Sequence, residues 1–497
     1  MRSPVRALAA AVLLAGPTVL AFASGGFFDR PRLIAGVGAW LLVAVAMLVS
    51  PCPLPRSRAG IAAVAGLALL ALWTLLSYRW APLGERAQAD AQRLALYLGV
   101  LVAGAALLRE RAAGWVEPAL ALGTVVVTGY GLSARLLPGL VELDRSRSGA
   151  GRLEQPLTYW NAMGCLAAIG FVLCVRVASD PRRPRMLRAG AGAASPVVAA
   201  GVYLSLSRGA LLALAVGLVM LFLLAPARRN LTRVGGALVL LGTAVALVAS
   251  RLPDVDTLAL DQTADAGQGA AMLAALIVAA AVAGVIAFRA PAPEPAEPAD
   301  GPRRLAARPG LVAVALVVVV IAAAAGVAAF EGTPKDASDG SVSASRFRSA
   351  DSLRYSYWDT ALTAFADHPL AGTGTGGFAV EWRRRPNRPE PAVDAHSLYV
   401  ETLSELGLVG ALFLGLFLGG VGAAAAGLNR RAPALAAGPA AAMVVWLVHA
   451  GLDWDWEMPA LTGVALLLAA ATLAAHDEGR DRPPPHPGTD PAPGAPA

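Results

Sequence analysis

Long apolar runs separated by short polar segments recur along almost the whole of this sequence. A run of about 20 apolar residues is long enough to cross a bilayer as a helix. Because lipid offers no hydrogen-bond partners, the backbone inside a bilayer must satisfy its own polar groups, and runs of this length do so as helices. The sequence therefore predicts an all-α, polytopic integral membrane protein.

Fourteen such runs can be identified, and together they take over half of the 497 residues. The predicted number of transmembrane helices is about 14, with 12–14 as the expected range. The runs lie approximately at residues 6–24, 32–50, 59–77, 92–108, 115–137, 159–178, 190–206, 209–225, 234–250, 269–288, 310–330, 398–418, 434–451 and 459–475.

The composition excludes several other classes of protein. Hydrophobic residues make up 56% of the chain and charged residues 15%, whereas a soluble domain has about 25% charged residues. A typical cytosolic enzyme and a disordered or fibrous chain are therefore excluded. The three cysteines, Cys52, Cys165 and Cys174, do not form a disulfide framework. No Cys/His spacing typical of a metal site is present, so the sequence predicts no metal.

Arginines in every second connecting segment predict the orientation in the membrane. The positive-inside rule assigns these segments, and with them both termini, to the cytoplasm. The net charge of +7 is mostly explained in this way, and no basic patch interleaved with aromatics indicates nucleic-acid binding. The arginines are Arg2, Arg6, Arg56, Arg58, Arg109, Arg111, Arg182, Arg183, Arg185, Arg188, Arg228, Arg229, Arg233, Arg303, Arg304, Arg308, Arg430 and Arg431.

The runs divide the chain into four parts. Residues 1–330 hold the first eleven predicted helices, with a flexible cytoplasmic linker at 290–309. Residues 331–397 form one large extracytoplasmic loop, 398–475 hold the last three helices, and 476–497 form a Pro-rich tail predicted to be disordered. The first run also resembles a cleavable signal peptide. We favour an uncleaved first helix, with the signal peptide as the alternative.

The large outer loop contains a predicted amphipathic helix. Tyr355, Trp358, Leu362 and Phe365 follow helical spacing, and such a helix is expected to lie at the outer membrane surface. Arg354 precedes Trp358 by one turn. Two interpretations of this arginine remain open, a contact with lipid phosphates and a role in binding substrate.

Two further motifs follow in the same loop. Residues 372–377 match the pattern GxGxxG. A dinucleotide-binding unit requires a preceding strand and a following helix, and neither is predicted in this extracytoplasmic loop, so that function is rejected. A turn whose N–H groups approach an anion and a plain connection both remain open. The arginine-rich segment 383–388 is either a solvated face or a site for a polyanion.

A histidine and two acidic residues mark the start of the twelfth run. Asp394 is predicted to cap this helix, His396 to lie in its first turn, and Glu401 and Glu405 to follow one turn apart. Carboxylates that enter a membrane helix are costly and indicate a wet cavity or a partner. Histidine has the pKa range of a general base, although interfacial polarity alone is the alternative.

Other polar residues are predicted at the same outer face. Arg208 lies in the short turn between the seventh and eighth runs, and its guanidinium is suited to phosphate. The remaining residues are Arg145, Arg147 and Arg152 before the sixth run, Tyr159, Trp160 and Asn161 at its start, and His449, Asp453, Asp455 and Glu457 at the outer end of the thirteenth. His449 lies inside that run, where a structural and a functional role both remain open.

These motifs, in this order, resemble the O-antigen ligase/O-antigen polymerase (Wzy-like) family over roughly residues 150–475. Each motif alone is weak, and their order and spacing carry the resemblance. The matching residues are Ser207, Arg208 and Gly209; Arg354 and Trp358; His368, Pro369, Gly372, Gly374 and Phe378; His396, Leu398 and Tyr399; Glu405 and Gly407; and His449 and Asp453.

The resemblance implies a GT-C-like membrane glycosyltransferase that uses no metal, nucleotide sugar or other cofactor. It implies a polyprenyl-diphosphate-linked saccharide as donor and a glycan, lipid or protein as acceptor, with either polymerase or ligase activity. By motif, His396 would be the base, Arg208 a diphosphate ligand and Arg354 a second ligand. Ser397 stands where the family often has Asn, which affects how the histidine is oriented.

Three residues complete the predicted substrate-binding set: Arg152, Glu405 and Trp358. Two other functions remain as alternatives. A flippase for lipid-linked oligosaccharide, or another transporter, predicts charged groups at mid-membrane, and a nonenzymatic scaffold has no need of the arginine–histidine arrangement. The apolar runs are nearly free of charge and the polar residues collect at the outer face, which favours the enzyme. Attack on the sugar from the side opposite the diphosphate is expected to invert the anomeric centre.

Overall fold

The computed structural model describes residues 2–258, 264–291, 354–385 and 392–481, and all regular structure within them is helical. Single helical turns lie at Ser24–Gly26, Pro253–Asp256 and Asp455–Glu457. The helices are α1 (Arg2–Ala21), α2 (Asp29–Val49), α3 (Arg58–Ser77), α4 (Gly84–Leu107), α5 (Ala113–Leu136), α6 (Trp160–Ser179), α7 (Arg185–Leu204), α8 (Arg208–Leu224), α9 (Arg228–Ala249), α10 (Ala266–Arg289), α11 (Arg354–Asp367), α12 (Gly377–Arg384), α13 (Leu398–Arg431), α14 (Pro433–Ala450) and α15 (Pro459–Asp481).

The predicted all-α, polytopic membrane fold is confirmed. Twelve of the described helices are long and apolar enough to cross a membrane, and α8, with 17 residues, is a shorter apolar helix. Thus 13 of the 14 predicted runs coincide with described helices. The predicted run at 310–330, the linker from residue 292, the loop from 331 to 353, Arg388 and the tail from residue 482 lie outside the described residues.

Helix α6 forms the centre of the bundle, and every residue from Asn161 to Ser179 is buried. Small residues allow its neighbours to approach. A Cβ at Gly170 would overlap the Thr124 side chain of α5, and one at Gly164 would overlap Ser205 after α7. Helix α15 is buried almost as completely, whereas α2, α3 and α10 expose most of their apolar residues. These exposed apolar faces are the ones suited to contact lipid.

Helix α13 is broken at Gly407, whose φ of 65° lies in the left-handed region. The loop that contains the GxGxxG pattern replaces the hydrogen bonds lost at this break. Leu408 N–H donates to the Pro369 carbonyl at 2.8 Å, and the N–H groups of Thr373 and Gly374 donate to the carbonyls of Ser404 and Glu405 at 3.0 and 2.8 Å. The glycines therefore serve a close approach between this loop and the broken helix.

We expect Gly407→Ala to destabilise the protein by about 1–3 kcal/mol, because a side chain there is strained and would overlap the Leu370 carbonyl. Gly422→Ala is the matched control in the same helix, where a Cβ meets no atom within 4 Å. Chemical denaturation of the detergent-solubilised protein measures both effects. Equal stability of the two variants would show that the break does not depend on glycine.

The predicted amphipathic helix is present as α11, and it has a second face that packs against protein. Tyr357, Ala361 and Ala364 are buried, whereas Leu362 in the predicted stripe is 47% exposed. The buried face packs against a small core formed by Phe378, Trp382, Ala392 and Ala395. That the stripe through Tyr355, Trp358, Leu362 and Phe365 lies at the membrane surface stays a prediction.

The prediction that no helix follows the GxGxxG pattern was wrong, because helix α12 begins at Gly377, the last residue of the pattern.

Two predictions about the start of α13 were also wrong. The capping residue is Ser397, whose hydroxyl accepts a hydrogen bond from Val400 N–H, and not Asp394. His396 lies before the helix instead of in its first turn, with a φ of 54°. Asp394 instead faces Arg86 at 3.8 Å. Asp394 and Ser397 are both suitable N-cap residues by type. Which of them caps α13 depends on where the backbone enters the helix, and the sequence does not give this.

Two of the arginines in the segment 383–388 are paired. Arg384 binds Glu381 at 2.6 Å, and Arg385 binds Asp359 at 3.4 Å.

Helix α15 continues to Asp481, beyond the predicted end at 475. The Asp477 carboxylate there accepts hydrogen bonds from the N–H groups of Arg56 and Ser57, which precede α3.

Candidate active site

A buried carboxylate, Asp453, joins three elements at one end of the bundle. Its oxygens accept hydrogen bonds from the Tyr159 hydroxyl and from the Asn161 amide, each at 2.6 Å. They also pair with the Arg354 guanidinium at 2.6 Å. Tyr159 and Asn161 lie at the start of α6, Arg354 begins α11, and Asp453 follows α14. Helix α11 is thereby tied to the centre of the bundle.

The charges around Asp453 keep it ionised. Burial alone would raise the pKa of its carboxyl, but the positive charge of Arg354, the strongest of the nearby charges, lowers that pKa below its ordinary value. Burial and the Asp453 charge raise the pKa of Tyr159, which therefore remains a hydrogen-bond donor. The neutral Tyr159 hydroxyl, the Asp453 carboxylate and the Arg354 guanidinium thus share one site.

A second buried pair lies beside the first. His449 Nδ1 and Asp455 Oδ2 are 2.5 Å apart, and both side chains are almost completely buried. A Cβ at Gly209 would lie 3.3 Å from His449 Nε2. The Ser207-Arg208-Gly209 turn therefore packs directly on this histidine. Burial raises the pKa of Asp455, although His449 opposes that shift.

Arg208 is the first residue of α8 and is half-buried. The preceding residue, Ser207, caps the helix by accepting a hydrogen bond from Ala210 N–H at 3.2 Å. The N-terminus of a helix carries a partial positive charge, so the guanidinium and the helix end add to the same field. The contact between Gly209 and His449 places this helix end beside the Asp453–Asp455 segment.

His396 is held in a left-handed backbone conformation by several contacts. Its Nδ1 lies 3.0 Å from the Asp394 carbonyl, and its ring stacks on that of Tyr357 with centroids 5.1 Å apart. The preceding Ala395 N–H donates to the Glu401 carboxylate at 2.7 Å. Such strain persists only where the surroundings over-determine it. The ring is half-buried.

Arg152 reaches the same end of the bundle through α6. Its guanidinium lies 3.6 Å from the centre of the Trp160 ring, a cation–π contact. The guanidinium also donates to the carbonyls of Gly149 and Ser148 at 2.8 and 2.7 Å. Trp358 stacks edge-on against Tyr355, and its buried Nε1 has no hydrogen-bond partner among the described residues.

Glu405 lies apart from this cluster. Its buried carboxylate accepts a hydrogen bond from Phe378 N–H at 3.1 Å, so it fastens the glycine-rich loop to α13. It also lines a small cavity of about 40 Å³ together with Asp90, Arg93, Glu401 and Glu457. The group that the glycine turn approaches is therefore the carboxyl group of Glu405, which belongs to the chain itself.

A family comparison bears on this arrangement. Residues 264–415 match the family model described as O-antigen ligase. This segment of the chain is therefore similar to the O-antigen ligase (Wzy-like) family. Among the curated proteins, none matches the chain.

The match to the O-antigen ligase family, together with the apolar helices, supports a multi-pass membrane enzyme of polysaccharide biosynthesis with glycosyltransferase-like activity. The family implies, in general, a lipid-linked saccharide and a glycan acceptor as partners. The matched range contains Arg354, Trp358, His396 and Glu405. Arg152, Arg208, His449 and Asp453 lie outside it, and they join the site through the contacts given above.

Only one group of described side chains has the spacing of a metal site. Ligand atoms of Cys165, His449 and Asp455 lie within 4.8 Å of one another. Two of the three residues already bind each other through His449 Nδ1 and Asp455 Oδ2. A metal ion would have to compete with this hydrogen bond, and all three side chains are buried.

Some residues of the site were not identified from the sequence. It did not identify Tyr357 as the ring that stacks on His396, nor Glu401 as the acceptor that holds the preceding N–H group. The spacing of Tyr357 with Ala361 and Ala364 contained the helical pattern that could have indicated the first. No sequence pattern indicated that Asp453 binds Arg354, Tyr159 and Asn161 together.

Proposed function

We propose that this protein transfers or polymerises saccharide units from a polyprenyl-diphosphate-linked donor in cell-surface polysaccharide biosynthesis. The reaction takes place at the outer face of the bacterial cytoplasmic membrane. The observation that carries the proposal is the convergence of Arg354, Asp453 and the start of α8 at Arg208 on one end of the bundle, with His396 before the start of α13 at the same end.

The diphosphate of the donor is assigned to the arginines. Arg208 lies at a helix N-terminus, where phosphate groups bind well, and a guanidinium can hold two phosphate oxygens at once. Negative charge grows on the diphosphate as the bond to the sugar breaks, so fixed cations stabilise the transition state. Arg354 is held in place by Asp453 and is 26% exposed, which suits it to a second contact.

The acceptor hydroxyl is assigned to His396. The contact between its Nδ1 and the Asp394 carbonyl leaves Nε2 as the nitrogen for proton transfer. This nitrogen would take the proton of the acceptor hydroxyl while the acceptor oxygen attacks the anomeric carbon and the diphosphate leaves. Attack opposite the leaving group inverts the anomeric centre. Diphosphate is a good leaving group, so the mechanism proposed here needs neither metal nor cofactor.

The distribution of charge favours an enzyme over a transporter. Most charged side chains of the described helices lie in terminal turns, as with Arg176 near the end of α6 and Glu401 at the start of α13. Arg93, near the middle of α4, is paired with Asp90 and Glu457. A transporter that binds its substrate near the midplane would require such groups in the middle of its helices.

An assay without a bilayer distinguishes these two functions. Purified protein in detergent is incubated with a lipid-linked saccharide and an acceptor glycan, and the products are separated by mass. An enzyme forms a longer or newly attached glycan, whereas a transporter has no second compartment and leaves both reactants unchanged. Unchanged reactants with well-folded protein and each plausible acceptor would overturn the proposal.

We expect Arg208→Lys to lower the rate of transfer by about 10²-fold, because lysine keeps the charge but loses the two-pronged contact with phosphate. Arg251→Lys is the matched control, since Arg251 is an exposed arginine near the same end of the bundle. Initial rates with a lipid-linked donor measure both variants. Equal rates for wild type and Arg208→Lys would remove Arg208 from the diphosphate site.

A further inference from the structure

A groove lies between α3 and α13 at the end of the bundle opposite the candidate active site. Helix α13 begins beside His396 and ends at Arg431, and the groove follows its second half. Its volume is about 540 Å³, within the range of small-molecule sites. It is lined by Arg58, Ala59, Ala62, Gly415, Leu416, Gly419, Gly420, Ala423, Gly427, Arg430, Arg431 and His476.

Glycines at different positions on α13 explain why this groove exists. At Gly420 a Cβ would overlap the backbone of Ala63, so α3 and α13 are in direct contact there. At Gly415 and Gly419 a Cβ would meet no atom within 4 Å. The two helices therefore touch along one line, while the missing side chains beside that line leave an open apolar channel.

Three arginines stand at the end of the channel. Arg58 is the first residue of α3, and Arg430 and Arg431 are the last two residues of α13. All three are exposed, and none has a hydrogen-bond or ion-pair partner among the residues that the structure describes. An apolar channel that ends at three unpaired guanidiniums is complementary to a molecule with an apolar chain and an anionic head.

We propose that this groove binds an anionic phospholipid, with one acyl chain between α3 and α13 and the phosphate against Arg58, Arg430 and Arg431. A basic residue near an anionic membrane surface contributes about a fivefold gain in binding. Three of them predict a preference of about a hundredfold for anionic over zwitterionic lipid. The site lies on the opposite side of the bundle from the candidate active site and does not depend on the proposed function.

Native mass spectrometry of the full-length protein tests this proposal. The protein is delipidated in neutral detergent and titrated with either phosphatidylglycerol or phosphatidylcholine of the same chain length. We expect one phosphatidylglycerol to remain bound at concentrations where phosphatidylcholine does not. High salt should weaken the binding, because exposed charges are screened. Equal retention of the two lipids by the unmodified protein would overturn the proposal.

Variants locate the head group and exclude a general charge effect. Replacing Arg58, Arg430 and Arg431 together by Ala should remove the preference for phosphatidylglycerol. Arg185, Arg229 and Arg233 are exposed arginines near other helix starts. Replacing these three by Ala changes the net charge by the same amount and should preserve the preference for phosphatidylglycerol. Loss of the preference in both triple variants would assign the effect to net charge and overturn the site.

A blocking side chain locates the acyl chain. Gly419→Phe fills the groove, whereas Gly422→Phe places the same ring on the same helix outside it, and neither position has an atom within 4 Å of a Cβ. We expect only the first variant to lose the bound lipid. If residues 310–330 of this chain occupy the groove instead, Gly419→Phe will lower stability in detergent and neither protein will prefer phosphatidylglycerol, which would contradict the proposal.

Discussion

We expect His396→Ala to lower the rate of saccharide transfer by about 10²- to 10⁴-fold, the range that a general base contributes. The protein should remain folded, because the ring of His396 is half-buried and lies before α13 instead of within it. Initial rates of product formation with purified protein and a lipid-linked donor measure the effect. Donor binding, measured separately, should change little, because the histidine is assigned to the acceptor.

The chain offers a matched control for this substitution. His368 directly follows α11 and is exposed, and its backbone contacts to α11 and to the glycine-rich loop survive replacement of the side chain. His368→Ala should therefore transfer saccharide at the rate of the wild type. A His396→Ala variant that is as active as His368→Ala would show that another group removes the proton.

The second large effect is expected at Asp453. Asp453→Ala leaves Arg354, Tyr159 and Asn161 without their shared acceptor. Removing one partner of a buried ion pair costs about 3–5 kcal/mol, so we expect a loss of that size in the free energy of unfolding. Transfer activity should fall as well, because the helix that carries Arg354 loses its attachment to α6.

A double-mutant cycle with Arg354→Ala separates the pair from its surroundings. The two substitutions should be non-additive, because the second partner is already uncompensated once the first is removed. The exposed pair of Glu381 and Arg384 has the same 2.6 Å distance and serves as the control. Glu381→Ala should cost no more than about 1 kcal/mol. Additive effects of Asp453→Ala and Arg354→Ala would contradict the assigned pairing.

Much of the fold could be predicted from the sequence, because the length and hydrophobicity of a membrane helix are local properties. The run predicted at 59–77 is helix α3, Arg58–Ser77. The run predicted at 398–418 has the correct start, but the helix continues to Arg431. Residues 419–431 are rich in Gly and Ala, so their hydrophobicity decreases gradually and marks no clear end.

The site was less predictable, because its contacts join residues far apart in the sequence. Arg354 and Asp453 are separated by 99 positions, and Tyr159 and Asp453 by 294. The residue types indicated where polar groups collect, but not which of them pair. The break in α13 at Gly407 could not be predicted from the residues around it. The hydrogen bonds that the helix lacks there are supplied by the loop at residues 369–374, which is distant in sequence.

The central claim is that the cluster around Asp453 supports transfer of a saccharide from a polyprenyl diphosphate to a hydroxyl near His396. The most direct measurement is the ratio of free polyprenyl diphosphate released to glycosidic bonds formed by the purified protein in detergent. The account predicts one diphosphate for each new bond in the wild type and almost none of either product with His396→Ala. New glycosidic bonds without diphosphate release, or equal product from His396→Ala, would contradict it.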